Sequence, residues 1–442
     1  ILAQGWLELV QNKRERSMVM LLWAIVLGLC AAEYVHHEDY MSGDFFSKWD
    51  FISADDPTHG FVDYVTAERA VQENLVKTTD KGIFIGVDNH SQVPFGSRGR
   101  ASVRLESIQR YNDGLFIISL EHAPTGCGSW PAFWMFGEDK DNVWPEWGEF
   151  DIMEWIHDEE SVSTTLHTKA NCTQKSLIPR KHMKAVWNKG KWDSVEAYDC
   201  YVHADGQWTN QGCSQRGMDG SIGSGFNAGG GGTYAAEWDP IRGHMSVWIW
   251  HAGHEPADVI SKTPNPELWG QPDFYFDLKD DCHPNHFKNM KLVFDITFCG
   301  DLGEPTYNFH CGQKRFHGRK SADGGADAAH GGHGRKYGGC VDLVRNEFSA
   351  FDETYWSVQS LDVYRRADAP VLGLQQARQD GREATDARQC RSEYTNQLQQ
   401  RVKELESILF RKEAELKELY TVLNQAEIQD LPPGHGRSSV TV

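Results

Sequence analysis

The chain has 442 residues, of which 40% are hydrophobic and 24% charged, an ordinary globular composition with room for one large domain plus appendages or for two domains. A formal charge of −19 argues against nucleic acid or any other phosphate backbone as a partner and suits a neutral ligand such as a polysaccharide. Aromatic residues are abundant, with 16 Trp, 14 Tyr and 21 Phe, and each ring serves either as core or as a platform for the C–H face of a sugar.

Residues 1–17 precede Met18 and read as a translated leader, or as a basic extension carrying Lys13, Arg14 and Arg16. From Met18 the chain is almost wholly apolar to Cys30-Ala31-Ala32. That length suits a signal peptide over 18–32 with cleavage after Ala32 and falls short of the ~20 residues that span a membrane, with an uncleaved signal anchor behind Lys13, Arg14 and Arg16 as the rival reading. The mature chain is then expected to be secreted, with no stable membrane association. Two sequons, Asn89-His90-Ser91 and Asn171-Cys172-Thr173, would be glycosylated on that route. Ten cysteines point the same way. Eight of them, Cys127, Cys172, Cys200, Cys213, Cys282, Cys299, Cys311 and Cys340, fall in the central region, an even number expected to form disulfides whose pairing stays open. No C-x-x-C pair supports a zinc site.

Between residue 45 and about residue 364, short apolar or alternating runs are separated by Gly, Asn, Asp and Pro. Gly82–Val87, Ala101–Ile108, Leu115–Leu120, Ser161–His167, His244–Trp250, Lys291–Cys299 and Ser357–Tyr364 all read as strands, and no long amphipathic helix interrupts them. The expectation is an all-β sandwich or barrel.

Within this region Glu149-Phe150-Asp151-Ile152-Met153-Glu154 sets three acids in an apolar, strand-like run. Buried carboxylates are costly unless paired or hydrogen-bonded, so the cluster requires a reason. Alternation puts Glu149 and Asp151 on one strand face and Glu154 on the other, and a β-bulge at Ile152–Met153 would return Glu154 to its partners. Two glutamates converging with an aspartate between them equip a retaining glycosidase. Glu149 is the expected nucleophile, and Glu154 the acid/base, its pKa raised by neighbouring charge. Asp151 is the assisting carboxylate, holding Glu149 and keeping a proton on Glu154 by repulsion. Such chemistry requires no cofactor and no metal, and no dense Asp/Asn loop for calcium is present.

Residues 310–339 are rich in His and Gly and read as a solvated surface loop. After residue 366 the composition shifts again. A linker is expected over 367–390 and a coiled coil over 391–428, where Leu398, Val402, Leu405, Leu409, Leu416, Leu419, Leu423 and Ala426 follow heptad spacing. Residues 429–442, opening near Pro432-Pro433-Gly434, read as a disordered tail. Self-association through the heptads would make the protein a homo-oligomer; a single amphipathic helix docked elsewhere, or a segment joined by a faulty gene model, are the alternatives for the same residues.

With the acids placed, the flanking segments resemble glycoside hydrolase family 16, near the fungal-type endo-β-1,3(4)-glucanases or laminarinases. The resemblance is carried by Phe45–Phe51, Asp56–Val62, Gly128-Ser129-Trp130-Pro131-Ala132-Phe133-Trp134, the acid motif, Leu166-His167-Thr168, Gly229–Gly232 with Tyr234, Ala235, Glu237 and Trp238, Trp248-Ile249-Trp250, Cys340-Val341-Asp342 and Tyr355-Trp356. It implies a catalytic domain over 33–366, folded as a β-jelly-roll sandwich of two curved antiparallel sheets, with a β-1,3- or mixed β-1,3/1,4-glucan in a cleft on the concave face. It also implies a place for His167 beside the catalytic carboxylates and the sugar. Trp130, Trp134 and Trp238 are candidate sugar platforms, with core packing the competing reading for each. Trp155, where related sequences often carry a small residue, is expected to narrow or reshape the cleft, and Trp144 and Trp147 to crowd the approach to Glu149. A glucan transglycosylase and a non-catalytic glucan-binding protein are the alternatives on the same fold.

Overall fold

The computed structural model describes residues 34–178, 182–311 and 339–367. The expected leader, signal segment, linker, heptads and tail, and most of the His/Gly-rich loop, lie outside the described residues.

Two eight-stranded sheets dominate, and every pairing within them is antiparallel. The first runs β16 (Phe274–Asp277), β15 (His244–His251), β14 (Gly232–Asp239), β8 (Gly114–His122), β18 (Tyr355–Arg366), β5 (Gly82–Gly86) and β4 (Val76–Thr79), with β1 (Tyr34–Asp39) also paired to β18. The second runs β12 (Val186–Trp187), β13 (Cys213–Arg216), β11 (Ser163–His167), β10 (Glu149–Glu154), β9 (Ser129–Gly137), β17 (Met290–Phe298), β7 (Arg104–Ser107) and β2 (Trp49–Phe51). The run expected as one strand over 101–108 is divided at Val103. Its first part, β6 (Arg100–Ser102), pairs in parallel with β3 (Val62–Tyr64), while its second enters the large sheet as β7.

Alternation decides which side of each strand is dry. In β9, Phe133 and Met135 enter the core while Trp134 faces away from it. In β17, Leu292, Phe294, Ile296 and Phe298 do the same, and Ile118, Leu120, Tyr234 and Ala236 answer them from the other sheet. Phe294 meets Trp356 edge-on at 5.5 Å, bringing the two sheets into contact. Each large side chain so buried contributes on the order of 1.5–3 kcal/mol. The strand pattern left a sandwich or a barrel, and the two packed sheets form the sandwich that the family resemblance implies.

All eight central cysteines pair, as Cys127–Cys311, Cys172–Cys282, Cys200–Cys213 and Cys299–Cys340. Cys127–Cys311 ties the end of the helix Gly300–His310 to the residues just before β9, the strand beside the acidic one, and Cys299–Cys340 ties the helix Cys340–Asn346 to the end of β17.

Candidate active site

The strand β10 is held in the middle of its sheet because Phe150, Ile152 and Met153 are each fully buried in the core. Ile152 and Met153 are consecutive, so both can face inward only if the strand is irregular between them. Against β9 the register runs Glu149↔Phe136, Phe150↔Met135 and Asp151↔Trp134, then slips to Met153↔Phe133 and Glu154↔Ala132. This is the bulge anticipated at Ile152–Met153, and it returns Glu154 to the side of Glu149 and Asp151. The Ile152 carbonyl displaced by it accepts a hydrogen bond from Thr164 Oγ1 at 2.9 Å.

Asp151 and His167 form the buried centre of the cluster, with side chains only 5% and 7% exposed. His167 Nε2 lies 3.0 Å from Asp151 Oδ2 and 3.6 Å from Glu149 Oε1, so one imidazole bridges two acids. Glu149 Oε2 accepts a hydrogen bond from Trp144 Nε1 at 2.5 Å, and Glu154 Oε1 accepts one from Trp130 Nε1 at 2.8 Å. Gly212 permits the histidine its position. Its φ is +62°, and a Cβ there would lie 2.4 Å from the Leu166 carbonyl and 2.9 Å from His167 Nδ1.

Burial and charge set the protonation of these groups in different proportions. Burial raises Asp151 well above the usual carboxylate range, the Glu149 charge adds to it, and His167 opposes both. Glu154 is also raised, chiefly by burial, with the Glu149 charge the lesser cause, whereas His167 and the Trp130 hydrogen bond pull it down. Desolvation is thus the main cause where charge repulsion had been expected. For His167 burial acts downward, yet the surrounding Glu149, Asp151 and Glu154 overcome it and push the imidazole up to about 9. The cluster can therefore hold protons above the pH at which isolated carboxylates have lost them.

The same outer face continues across β9, β17 and β7. Trp134 is half-buried and stacks on Phe136 at 5.2 Å, and the Arg104 guanidinium lies 5.0 Å from the Trp134 ring centre. Asp295 Oδ1 accepts from Trp134 Nε1 at 3.3 Å and Oδ2 accepts from the Tyr64 hydroxyl at 2.9 Å. Burial pushes Asp295 up to about 7 despite the opposing charge of Arg104. Lys291 pairs with Glu106 and, at 2.9 Å, with Glu138. None of Arg104, Glu106, Lys291, Asp295 or Tyr64 stands out in the sequence reading. Their one signal is alternation, since Arg104 and Glu106, or Lys291 and Asp295, occupy every second or fourth position of otherwise apolar strands.

Trp130 and Trp134 both reach this face, as their spacing of four predicts. Trp238 does not. It is 1% exposed, on β14 of the opposite sheet, and points into the shared core with Tyr234 and Ala236. A ring with no accessible face cannot stack on sugar, so Trp238 is corrected to a core residue. Trp155 is likewise corrected. It is 2% exposed, meets Trp356 edge-on and donates from Nε1 to the Pro124 carbonyl, so it fills core and does not narrow the acidic face. Of the sequon asparagines, Asn171 is exposed, while Asn89 is half-buried and donates to Asp352 at 3.0 Å.

Among the described residues, three groups of side chains converge closely enough to ligate a cation. Two of them depend on Cys127 and Cys311 or on Cys299 and Cys340, whose sulfurs are already joined in disulfides. The third is Glu149, Asp151 and His167, where the imidazole already bridges the acids.

Comparison with known proteins gives a consistent result. A family model of the XgeA-like, catalytic GH16 domain matches residues 49–364. An endo-1,3(4)-beta-glucanase of Arthroderma benhamiae is 33% identical over 363 residues, covering 80% of this chain and 70% of its own. The endo-1,3(4)-beta-glucanase xgeA of Emericella nidulans is 30% identical over 351 residues, and the match spans half of that protein. Among solved structures, laminarinase 16A of Phanerochaete chrysosporium, holding two 6-O-glucosyl-laminaritriose molecules in donor and acceptor sites, superposes with a TM-score of 0.62 at 29% identity. It covers 75% of this chain and 99% of its own. An elongating β-1,3-glucosyltransferase of the same family gives 0.61 at 32% identity, covering 75% of this chain and all of its own.

Proposed function

From its membership of glycoside hydrolase family 16, to which the chain belongs, we propose that the protein is a secreted endo-acting hydrolase of β-1,3- or mixed β-1,3/1,4-glucans that works with retention. The observation that carries the reading is the bulge in β10, which sets Glu149, Asp151 and Glu154 on one face with His167 between two of them.

In the proposed reaction the Glu149 carboxylate attacks the anomeric carbon as Glu154 gives its proton to the departing glycosidic oxygen. The glycosyl–Glu149 ester that results is opened by water. Glu154, now ionised, takes a proton from that water as its oxygen bonds to the same carbon, and Glu149 leaves as carboxylate. The raised pKa of Glu154 favours the proton-donor form at pH values where an exposed glutamate has already lost its proton. His167, held by Asp151, lies against Glu149 and offsets its charge through both steps. Trp144 steadies the second oxygen of Glu149, while Trp130 orients Glu154. The half-buried Trp134 offers the sugar a ring face beside them.

Secretion is supported by the four disulfides, which form and persist in oxidising compartments. A glucan transglycosylase is the second reading, favoured by the likeness to an elongating glucosyltransferase. It differs only in which hydroxyl opens the ester. A glucan-binding protein without catalysis is less well supported, because binding alone requires no proton donor.

The test is to incubate the protein with laminarin and with lichenan, following products by chain length and the first-formed anomer by proton NMR. The β anomer and short oligosaccharides are expected, and their loss in Glu149→Gln and Glu154→Gln. An α anomer would overturn retention, and undiminished activity in either variant would overturn the residue assignment. Products longer than the substrate would select the transglycosylase.

A further inference from the structure

The face that carries the acids differs on the two sides of β10. Toward β9 it presents rings, Trp130 and Trp134, both half-buried. Toward β11, β13 and β12 it presents hydroxyls, an amide and a guanidinium. In β11 Thr164 and Leu166 are buried on the inner side, so Ser163 and Thr165 share the outer face with His167. The ladders extend that face. Glu154 pairs with Ser163 and Ser163 with Arg216, while Asp151 pairs with Thr165 and Thr165 with Ser214. Glu154 and Asp151 therefore each begin a row of polar side chains that crosses the sheet away from the tryptophans.

Asn188 joins the two rows. It follows β12, three strands from the acids, yet its Nδ2 donates to Ser163 Oγ at 3.2 Å and to Ser214 Oγ at 2.9 Å. Thr165 Oγ1 lies 2.9 Å from the same Ser214 hydroxyl. Asn188 is half-buried, and its Oδ1 has no donor among the described residues. Arg216 is exposed at the end of the other row, where its Nη2 donates to Ser161 Oγ at 2.6 Å and lies 3.4 Å from Asp219 Oδ1. Its Nε and Nη1 have no acceptor among the described residues. Asp219 offsets the guanidinium charge, which suits the neutral hydroxyls of a sugar better than an anion.

The two halves of a cut polysaccharide make different demands. One half stays bonded to Glu149 until the ester is opened. The other departs at every turnover and gives way to water or to a second sugar. Stacking on a ring buries apolar area and holds the retained half. A hydrogen bond to a sugar hydroxyl replaces one to water with little net gain, so a unit held in that way exchanges readily.

We propose that Asn188 and Arg216 bind the sugar unit on the leaving side of the cleaved bond and, after it departs, the acceptor sugar that competes with water for the glycosyl–Glu149 ester. The inference rests on the glucanase reading above and adds which residues receive the departing chain. When a sugar takes the place of water, its hydroxyl oxygen bonds to the anomeric carbon. The bond from that carbon to Glu149 breaks with its electron pair going to the carboxylate, and the hydroxyl proton passes to Glu154.

The test compares two substrates that share the same retained half. One is a β-1,3-linked glucose oligosaccharide, and the other an aryl glycoside whose leaving group is a nitrophenol without sugar hydroxyls. Asn188→Ala and Arg216→Ala should each lower kcat/KM on the oligosaccharide about fivefold more than on the aryl glycoside, the effect of one lost hydrogen bond. Trp134→Ala, on the other side of β10, should lower both alike. With the aryl glycoside and an added glucose disaccharide, the ratio of transfer product to hydrolysis product should fall by a similar factor in the two polar variants. Arg216 is exposed, so its variant reads the site even if Asn188→Ala unfolds. A parental ratio in either folded variant removes that residue from the site, and parental ratios in both, or equal losses on the two substrates, overturn the proposal. If the parent protein opens neither substrate, the glucanase reading itself fails. If the parent opens both and the variants keep its ratios, only the assignment of Asn188 and Arg216 fails.

Discussion

Asp151 and His167 meet across β10 and β11 although neither is the other's strand partner. The ladder pairs Glu149 with His167 and Asp151 with Thr165, and the imidazole leans diagonally to place Nε2 3.0 Å from Asp151 Oδ2. Diagonal neighbours on one sheet face stand close enough for such a reach. His167 is thereby surrounded by three acids, the origin of its high proton affinity.

This has a consequence for stability. His167 is raised from 6.5 to about 9 in the folded protein, so its contribution is complete below about pH 6.5 and is lost as pH rises through about 9. The melting temperature of the parent should therefore fall more between these limits than that of His167→Gln. Parallel thermal-unfolding curves against pH for the two proteins would count against the ion pair.

Trp130 donates to Glu154 and so favours its ionised form. Trp130→Phe removes the donor while keeping most of the ring. The Glu154 pKa should rise, and the alkaline limb of the kcat/KM profile on laminarin should move to higher pH. A limb that stays in place, or moves toward acid, would show that this bond does not tune the proton donor.

Gly212 has a left-handed backbone and no space for a Cβ beside Leu166 and His167. Gly212→Ala should cost more than about 1 kcal/mol of stability. It should also lower activity beyond what unfolding explains, because His167 is the displaced neighbour. Urea denaturation with kcat measured on the folded fraction separates the two effects. An unchanged midpoint and rate would refute the crowding.

Trp134 and Trp238 should part company on mutation. Trp134→Ala is expected to raise KM for glucan, since a ring at the acidic face is lost. Trp238→Ala is expected to destabilise the fold by about 3–5 kcal/mol by emptying a core site, with KM of the surviving protein unaltered. Kinetics and chemical denaturation on both variants check the contrast. A KM effect from Trp238→Ala would return that residue to the substrate.

The case of Trp238 shows where reading residues along the chain stops. In Thr233–Asp239 apolar residues occupy both parities of the strand, so alternation alone does not say which set faces the core. Packing decides: Tyr234, Ala236 and Trp238 meet the other sheet, while Ala235 joins a smaller outer cluster and Glu237 bonds Tyr34 there. In β10 the pattern is unambiguous. Phe150 and Ile152 share one parity, the acids Glu149 and Asp151 the other, and two successive apolar residues before Glu154 call for a bulge. Local residue order carries that information because strand geometry has a fixed period of two.

The sequence by itself therefore determined most of the strands, an all-β architecture of sandwich or barrel type, and three acids that share a face once a bulge is granted, all of which follow from periodicity and residue type within a few positions. Only the tertiary structure decided which cysteines pair, which tryptophans are dry, and that burial more than repulsion raises Glu154. It alone brings Arg104 to the ring of Trp134 and Lys291 to that of Phe136, and lays Phe84 beside Tyr355. These relationships join residues far apart in sequence, and desolvation depends on everything packed around a group, which no local pattern records.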